Sequence, residues 1–415
     1  MDFAEREFIP VLLGGDINVY SMARAFFERY AVRSRAFGKF RSGPANRSGI
    51  IEYTPNPAID TDETFLRLVN GFARAHSNKK ILLMGCGDNY VSLIVRHRDA
   101  GDLERNIVAP YSDLDLIESC QKKEVFYHLC EQHGVAFPRT FTFRQSMLNT
   151  SDGLISALDA LKFPFPVILK PSDGIMYWEH PFATQKKAYS ISTREELERT
   201  IRDIYRSGYT DELIIQDKVP GGDERMRVLT SYSGADGRVR MMCLGHVLLE
   251  EHSPHAVGNH AAIITESNES LAAGVRKLLE DLRYVGFANF DVKYDERDAT
   301  FRFLDFNTRQ GRSNYYVTAS GLNLASYVVD EYVYEAAFSG EPAGPSTECL
   351  WHVVPKGVIS TYVGDDRLKE RARELARSGR SVNPVFMRGD FDLNRWLHAM
   401  HTYMGQYKMF RRYYG

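Results

Sequence analysis

The chain has 415 residues, of which 44% are hydrophobic and 26% charged, a composition typical of a globular protein with room for two or three domains. Its 52 lysines and arginines nearly balance 54 aspartates and glutamates, so the formal net charge of −2 gives no argument for nucleic acid as a bulk partner and makes any anion site local. The five cysteines are odd in number and lack C-x-x-C spacing, which favours neither a disulfide framework nor a zinc site. We therefore expect a reducing, cytoplasmic location.

The first ten residues, MDFAEREFIP, lack the basic and apolar regions of a secretory signal. No apolar run approaches the roughly 18 residues that a membrane-spanning helix needs. We therefore expect neither export by this route nor a transmembrane segment.

Two similar segments near the N-terminus predict the start of an open α/β sheet. The first is an apolar strand, Phe8 to Leu13, followed by Gly14-Gly15-Asp16 and a helical pattern, and the second repeats this order after Lys80–Met84. Neither turn has the third glycine of a dinucleotide fingerprint, which disfavours an NAD site. The helix N-terminus beside Asn18 is a candidate for holding an anionic substrate group through backbone N–H donors, and a plain structural turn is the alternative.

Further along, lysines stand where a helix begins and where a strand ends. An amphipathic helix is predicted from Ser119 to Gln132, with Lys122 and Lys123 at its start, where the helix dipole makes them costly unless an anion is nearby. A solvated helix face is the alternative. The strand 165–169 then delivers Lys170, and a lysine at the end of a buried strand needs a counter-charge such as a phosphate.

The segment 174–186 is polar and aromatic, which predicts either a disordered stretch or a lid that folds over a ligand. Lys187 opens the strand that follows. Next, a strand from Leu213 to Gln216 runs into the turn 217–223, whose backbone groups can bind adenine and whose Asp223 can accept both ribose hydroxyls. A purely structural turn is the alternative.

Two polar sets follow that turn. Arg227 comes shortly after it and is expected to face phosphates. Histidines without a repeating ligand spacing disfavour a histidine metal site and favour a mobile substrate loop. They are His246, His252, His255 and His260.

The stretch 286–313 predicts a β-hairpin with one polar and one apolar face, because two alternating segments flank the polar break at 295–298. The first strand places Asn289, Asp291 and Lys293 on one side. The second places Phe303, Asp305 and Asn307 on one side, against Arg302, Leu304 and Phe306. If the polar faces coincide, Asp291 lies near Asp305 and Asn307, an all-oxygen cluster suited to Mg²⁺ and followed by Arg309 and Arg312.

The last part of the chain begins with a linker pattern after Gly340, followed by a new strand pattern. The final helix pattern, starting at Leu393, repeats apolar residues and then meets Lys408, Arg411 and Arg412. Such a basic amphipathic end is typical of a contact with a membrane or an anionic substrate, and packing on its own domain is the alternative.

This order of parts resembles the ATP-grasp superfamily over residues 111–334. The resemblance implies an α/β (α+β) ATP-grasp fold with an N-terminal Rossmann-like domain at 1–110, a small subdomain at 111–190, a central subdomain with the metal hairpin at 191–340 and a C-terminal extension at 341–415. It implies ATP and Mg²⁺ as cofactors. The implied metal ligands are Asp291, Asp305 and Asn307, and the implied ATP-binding residues are Lys123, Lys170, Lys187, Gln216, Asp217, Lys218, Val219 and Asp223.

The remaining roles are catalytic and substrate-binding. The catalytic candidates are Arg309, Lys170 and Arg312, and the substrate candidates are Asn18, Arg227 and Ser313. Two positions depart from the family pattern: Asp305 stands where Glu is usual, which puts the bridging of two metal ions in doubt, and Thr308 stands where Pro is common.

The stretches KPSDGIMYWEHPF and NTRQGRSNYYVTASGLN are similar to the D-aspartate ligase group. That resemblance implies an ATP-dependent ligase that activates a carboxylate, D-aspartate favoured, as an acyl phosphate and joins it to an amine of a cell-wall (peptidoglycan) peptide precursor. Three alternatives stay open: a ligase for another small acid, a carboxylase, and a catalytically silent nucleotide-binding regulator. A homodimer also stays open.

Overall fold

The computed structural model describes residues 2–41, 43–148, 153–254 and 256–414. The N-terminal layer is a five-stranded parallel sheet in the order β3-β2-β1-β4-β5. Its strands are β1 (Phe8–Leu13), β2 (Ser34–Gly38), β3 (Ile51–Pro55), β4 (Lys80–Gly85) and β5 (Ile107–Val108). This is the strand order of a doubly wound nucleotide-binding sheet, and the predicted α/β class is confirmed.

Three helices connect these strands: α1 (Ile17–Tyr30), α2 (Asp62–Ala75) and α3 (Asp88–Asp99). The turn into α1 uses Gly14 at φ +130°, where a side chain would be strained and its Cβ would lie 2.9 Å from Val19. Asp16 then caps α1 by accepting hydrogen bonds from the backbone N–H groups of Asn18 and Val19. The α1 N-terminus is therefore already occupied by a carboxylate of its own chain.

Two helices join the N-terminal layer to the rest of the chain: α4 (Leu114–Gln121) and α5 (Lys123–Gln132). The prediction of one helix from Ser119 to Gln132 is wrong, because the backbone of Lys122 is extended (φ −79°, ψ 118°) and separates the two. Lys123 is therefore the first residue of a new helix. The backbone N–H groups of Lys123 and Glu124 donate to the carbonyl and hydroxyl oxygens of Ser172.

A four-stranded antiparallel sheet follows, in the order β6-β9-β7-β8. Its strands are β6 (Thr140–Phe143), β7 (Val167–Pro171), β8 (Tyr189–Ile191) and β9 (Leu213–Asp217), and its helices are α6 (Gly153–Asp159), α7 (Gly174–Glu179) and α8 (Arg194–Arg206). Because β9 pairs with β6 and β7, the boundary predicted after residue 190 falls inside this sheet. Within the predicted loop 174–186 lies α7, which Asp173 caps.

The central layer is a seven-stranded sheet in the order β14-β13-β10-β11-β12-β15-β16, antiparallel except for the last pair. Its strands are β10 (Met226–Ser233), β11 (Val239–Glu251), β12 (Asn259–Glu266), β13 (Gly286–Asp295), β14 (Thr300–Asn307), β15 (Leu350–His352) and β16 (Ser381–Val382). The last two strands belong to the segment 341–415, so this segment extends the central sheet.

The remaining helices are α9 (Glu269–Asp281), α10 (Tyr315–Ala319), α11 (Leu324–Tyr332), α12 (Lys356–Tyr362), α13 (Asp366–Arg377) and α14 (Leu393–Tyr413). Two hydrophobic clusters combine residues of the N-terminal layer with residues of the central sheet, which fixes these two layers against each other. The four-stranded sheet has a cluster of its own, and another holds the C-terminal helices on the central sheet. Within the described ranges no helix is long and apolar enough to cross a bilayer.

Candidate active site

The β13–β14 hairpin brings the predicted acidic residues together. Asp291 lies directly opposite Asp305, and Asn289 lies opposite Asn307. Residues that face each other across an antiparallel pair project to the same side of the sheet, so both carboxylates and the Asn307 amide share one face. The Asn307 amide nitrogen lies 3.5 Å from Asp291 Oδ2.

A β-bulge makes this arrangement work. The register shifts between Asp291 and Val292, so that Val292 pairs with Phe303 and Leu304 is an extra residue in β14. Phe303 therefore turns to the apolar face, where it packs edge-on against Phe290 with ring centroids 5.7 Å apart. The prediction that Phe303 shares a face with Asp305 is wrong for this reason.

Two lysines reach Asp305 from different elements. Lys123, at the start of α5, places its ammonium 3.1 Å from Asp305 Oδ1, and Lys170, at the end of β7, lies 3.7 Å from Oδ2. Lys170 is 6% exposed, and burial lowers its pKa. It also donates to the Leu304 carbonyl at 2.9 Å, which accepts a second hydrogen bond from the Tyr127 hydroxyl at 2.6 Å. Because β14 is an edge strand, its outward main-chain groups are available for such partners.

The pKa values of the two carboxylates are shifted in opposite directions. Burial, and next the charge of Asp305, raises the pKa of Asp291 to about 6. Burial also acts to raise the pKa of Asp305, but the nearby cations Lys123, Lys170 and Lys187 overcome it and lower this pKa to about 2. Lys187 is exposed, and its charge acts to lower the pKa of both carboxylates.

The arginines that follow the hairpin meet the N-terminal layer. Arg309 is mostly buried and forms an ion pair with Asp88, the first residue of α3, at 2.9 Å. It also donates to Asn307 Oδ1 at 3.3 Å. Arg312 forms an ion pair with Glu251 at 3.2 Å, and the buried Ser313 hydroxyl lies 3.3 Å from His260 Nδ1. The site therefore lies at the boundary between the N-terminal layer and the central sheet.

Sequence patterns missed Glu250 as a site residue. Burial, followed by the charges of Asp223 and Asp291, raises its pKa to about 7. His260 lies 3.8 Å from Glu250 and 3.6 Å from Asp291, and burial lowers its pKa to about 3, so it is a neutral imidazole at neutral pH. Simple alternation hides these residues because the β11–β12 register shifts beside them, between Leu249 and Glu250. Of the other three histidines in this segment, His246 contacts Glu224 and Glu266, His252 contacts Asp223, and His255 lies outside the described residues.

The ribose candidate Asp223 is buried and is held in position by two groups of the protein. It accepts a hydrogen bond from the Glu250 backbone N–H at 2.8 Å, and His252 Nε2 lies 3.0 Å from both of its oxygens. The hydrogen bond to Asp223 raises the pKa of His252. Tyr414, just after α14, packs its ring 4.5 Å from the His252 ring. The end of the C-terminal helix therefore adjoins the nucleotide candidate residues.

The side chains of the residues predicted to bind adenine make contacts within the protein. The Gln216 amide donates to Thr140 Oγ1 at 2.9 Å. Asp217 forms ion pairs with Arg139 and Arg297, each at 3.0 Å. Of the next two residues, Lys218 donates to Ser190 Oγ at 2.9 Å and Val219 is buried. Any contact of this linker with a base therefore uses its main chain.

Two residues predicted to bind substrate contact other parts of the protein instead. Arg227 pairs with Val292, not with Asp291, so it projects to the opposite face of the sheet, where it forms an ion pair with Glu266. Asn18 is 1% exposed, its amide nitrogen donates to the carbonyls of Cys86 and Gln310, and its oxygen accepts from Asn314. These contacts correct both predictions: Arg227 is turned away from the site, and Asn18 holds the two layers together.

The donor set fits a hard divalent cation. Across the described ranges, no group of three or more His, Cys, Asp or Glu side chains is arranged to hold a metal. The cluster instead offers two carboxylates and one amide oxygen, which leaves the other positions for phosphate oxygens and water, as Mg²⁺ prefers. Burial and the charge of Asp305 raise the pKa of Asp291 although Lys187 and Arg309 act against them, so a cation between the two carboxylates would relieve their repulsion. The residues present therefore fit Mg²⁺ with a phosphate.

Comparison with known proteins defines the class. No family model matches the chain. The L-amino acid ligase from Bacillus licheniformis shares the fold with a TM-score of 0.54 at 15% identity, over 79% of this chain and 74% of that one. The biotin carboxylase domain of the 2-oxoglutarate carboxylase from Hydrogenobacter thermophilus, solved with MgADP, ADP and bicarbonate, has a TM-score of 0.59 at 14% identity, over 81% of this chain and 72% of that one. The predicted ATP-grasp fold is confirmed.

Sequence similarity then gives the family. The chain is 37% identical over 413 residues to a D-aspartate ligase from Enterococcus faecium (strain Aus0004), and the match covers 97% of each protein. The chain therefore belongs to the D-aspartate ligase family, as the sequence resemblance predicted. It is a carboxylate–amine ligase of the ATP-grasp type.

Proposed function

We propose that this chain phosphorylates a carboxylate of D-aspartate with ATP and joins the resulting acyl phosphate to an amine of a cell-wall peptide precursor in the cytoplasm. The observation that carries the chemistry is that Asp291, Asp305 and Asn307 share one face of the hairpin, where Lys123 and Lys170 both reach Asp305. Similarity to a D-aspartate ligase over nearly the whole chain supports the choice of acid.

Activation is needed because a carboxylate and an amine do not condense in water by themselves. Phosphoryl transfer spreads negative charge over the phosphate oxygens, and catalysis rests on positioning and on neutralising this charge. Lys123 and Lys170 converge on Asp305, so both ammonium groups are held where a nucleotide phosphate would meet them. Mg²⁺ on Asp291, Asp305 and Asn307 would act as a Lewis acid on the phosphate oxygens.

The nucleotide would lie between the four-stranded and central sheets. The main chain of the linker after β9 would contact adenine, and Asp223, held in place by His252, would accept the ribose hydroxyls. The exposed Lys187 would add charge to the phosphate side of the site. The short helix α7 and the rest of segment 174–186 would cover the acyl phosphate and exclude water from it.

The two arginines at the boundary between the layers would bind and stabilise the acid substrate. Arg309 bridges Asp88 and Asn307, so its guanidinium is held beside the metal ligands, where it would stabilise the oxyanion of the acyl transfer. Arg312 is one-third exposed and pairs with Glu251, which leaves part of its guanidinium for a substrate carboxylate. The neighbouring Ser313 would complete this contact.

Phosphate release and product mass test this proposal together. Purified enzyme is incubated with ATP and Mg²⁺, with D-aspartate, L-aspartate or other amino acids, and with a lysine-containing cell-wall peptide as the amine. We expect phosphate release that requires both substrates and a peptide heavier by one D-aspartyl residue. Release that prefers another acid would overturn the choice of D-aspartate, and release that needs no amine would contradict ligation.

A further inference from the structure

The C-terminal helix α14 carries an exposed apolar stripe, consisting of Leu393, Leu397, Met400, Met404 and Tyr407. The intervals between these residues are four, three, four and three, which keeps them within an arc of roughly 80° on a helix. Leu393 is 60% exposed and Leu397 61% exposed. Seven of the thirteen exposed large hydrophobic side chains in the described part of the chain lie between Phe391 and Met409, so the stripe is a concentrated surface feature.

The rest of the helix is firmly anchored, which keeps the stripe facing outward. On the packed side, Arg395 forms a buried ion pair with Asp390 at 2.6 Å. Trp396 packs against Phe386 with ring centroids 5.4 Å apart, and Phe410 joins the buried cluster of the C-terminal helices. These contacts lie outside the stripe and hold the helix in place, and at the end of the stripe the Tyr407 hydroxyl also lies against Gly357 of α12.

The charged side chains of α14 are all positive. Residues 393–413 contain no aspartate or glutamate, and Lys408, Arg411 and Arg412 are exposed near the end of the helix. Asp392 precedes the helix, where its side chain caps it by accepting from the Arg395 N–H. The exposed part of the helix is therefore apolar and cationic.

We propose that this stripe docks the enzyme on an anionic phospholipid surface. A helix with an apolar face and flanking basic residues lies in the plane of the membrane interface, and each basic residue near an anionic leaflet strengthens partitioning by about fivefold. A second copy of the chain would fit the same spacing, since alternating steps of three and four also describe a coiled-coil seam. Two such helices would bring lysines, arginines and histidines together without any acidic side chain to pair with them. Charge complementarity therefore selects the lipid surface.

Vesicle flotation tests this docking with the full-length chain. We expect the protein to float with vesicles of mixed phosphatidylcholine and phosphatidylglycerol at low salt and to be released at high salt. Replacing the first three stripe residues together, as L393Q, L397Q and M400Q, should reduce the bound fraction by about tenfold or more. The charge variant K408E with R411E should weaken binding to anionic vesicles selectively.

A matched control and a second measurement keep the test decisive. I155Q removes a comparably exposed apolar side chain from α6 and should bind vesicles like the unchanged protein. Circular dichroism and unchanged phosphate release would show that the variants are folded. Equal flotation of the triple variant, or equal binding to pure phosphatidylcholine, would overturn the proposal. So would a lipid-free dimer in analytical ultracentrifugation that the triple variant dissociates, because the face would then bind a second copy.

Discussion

Two adjacent lysines offer a sharp test of the nucleotide site. Lys123 and Lys122 are neighbours in sequence, but the break between α4 and α5 sends them in different directions. Lys123 lies 3.1 Å from Asp305, whereas Lys122 is exposed and its charge acts on Asp211. We therefore expect Lys123→Ala to weaken ATP binding and Lys122→Ala to leave it unchanged.

The size of the effect follows from the burial of Lys123. A hydrogen bond between charged groups contributes about 1.5–3 kcal/mol when it is well shielded from water. The Lys123 side chain is 21% exposed, and screening by water reduces this to about 1–2 kcal/mol. Since each 1.4 kcal/mol is about tenfold in affinity, the KM for ATP should rise about 5- to 30-fold.

Initial rates of phosphate release at varied ATP concentration, with both co-substrates saturating, give the two KM values. Lys122→Ala is the matched control because it removes the same side chain from the next position, and its KM should stay within about twofold of the unchanged enzyme. Equal increases in the two variants, or no increase in either, would refute the placement of Lys123 on the phosphate side of the site.

Three further predictions concern other parts of the site. Asp291→Asn should lower phosphate release by about a hundredfold or more, because it removes a metal ligand, while the melting temperature stays equal or rises; near-normal release would exclude this metal assignment. In Asp295→Asn, urea unfolding should show a loss of about 2 kcal/mol at neutral pH, because hydrogen bonds from Arg297 lower the pKa of Asp295 to about 2. That stability is present above pH of about 4 and disappears as the pH falls toward 2, so equal pH profiles for variant and parent would contradict it. Tyr414→Ala should raise the KM for ATP a few-fold without changing kcat, as steady-state kinetics would show, because Tyr414 supports the histidine that holds Asp223; a loss confined to kcat would argue against this positioning role.

Local sequence signals predicted the parts of the fold that a single strand or turn determines. The strand Phe8–Leu13 with its glycine turn, the strand leading to Lys170 and the two strands of the metal hairpin are present where alternation and turn residues indicated them. Each of these depends on periodicity within about ten residues. The opposition of Asp291 and Asp305 follows from the same kind of signal.

Features that depend on packing between elements could not be predicted in this way. The break at Lys122 has no glycine or proline to mark it, and it arises where α5 donates its first N–H groups to Ser172. Glu250 joins the site only because register shifts in β11 and β12 turn it there. Arg227 and Asn18 carry the residue types of a substrate site, but strand pairing and burial commit them to other contacts.

The extra residue in β14 gives the site a main-chain acceptor that a regular hairpin of the same side chains would lack. Removing Leu304 would leave Asp305 opposite Asp291, because Phe303 and Asp305 would become neighbours that project to opposite faces, but it would remove the carbonyl that accepts from Lys170 and Tyr127. A single-codon deletion would thus spare every residue of the acidic centre while taking away the main-chain oxygen that fixes its buried lysine.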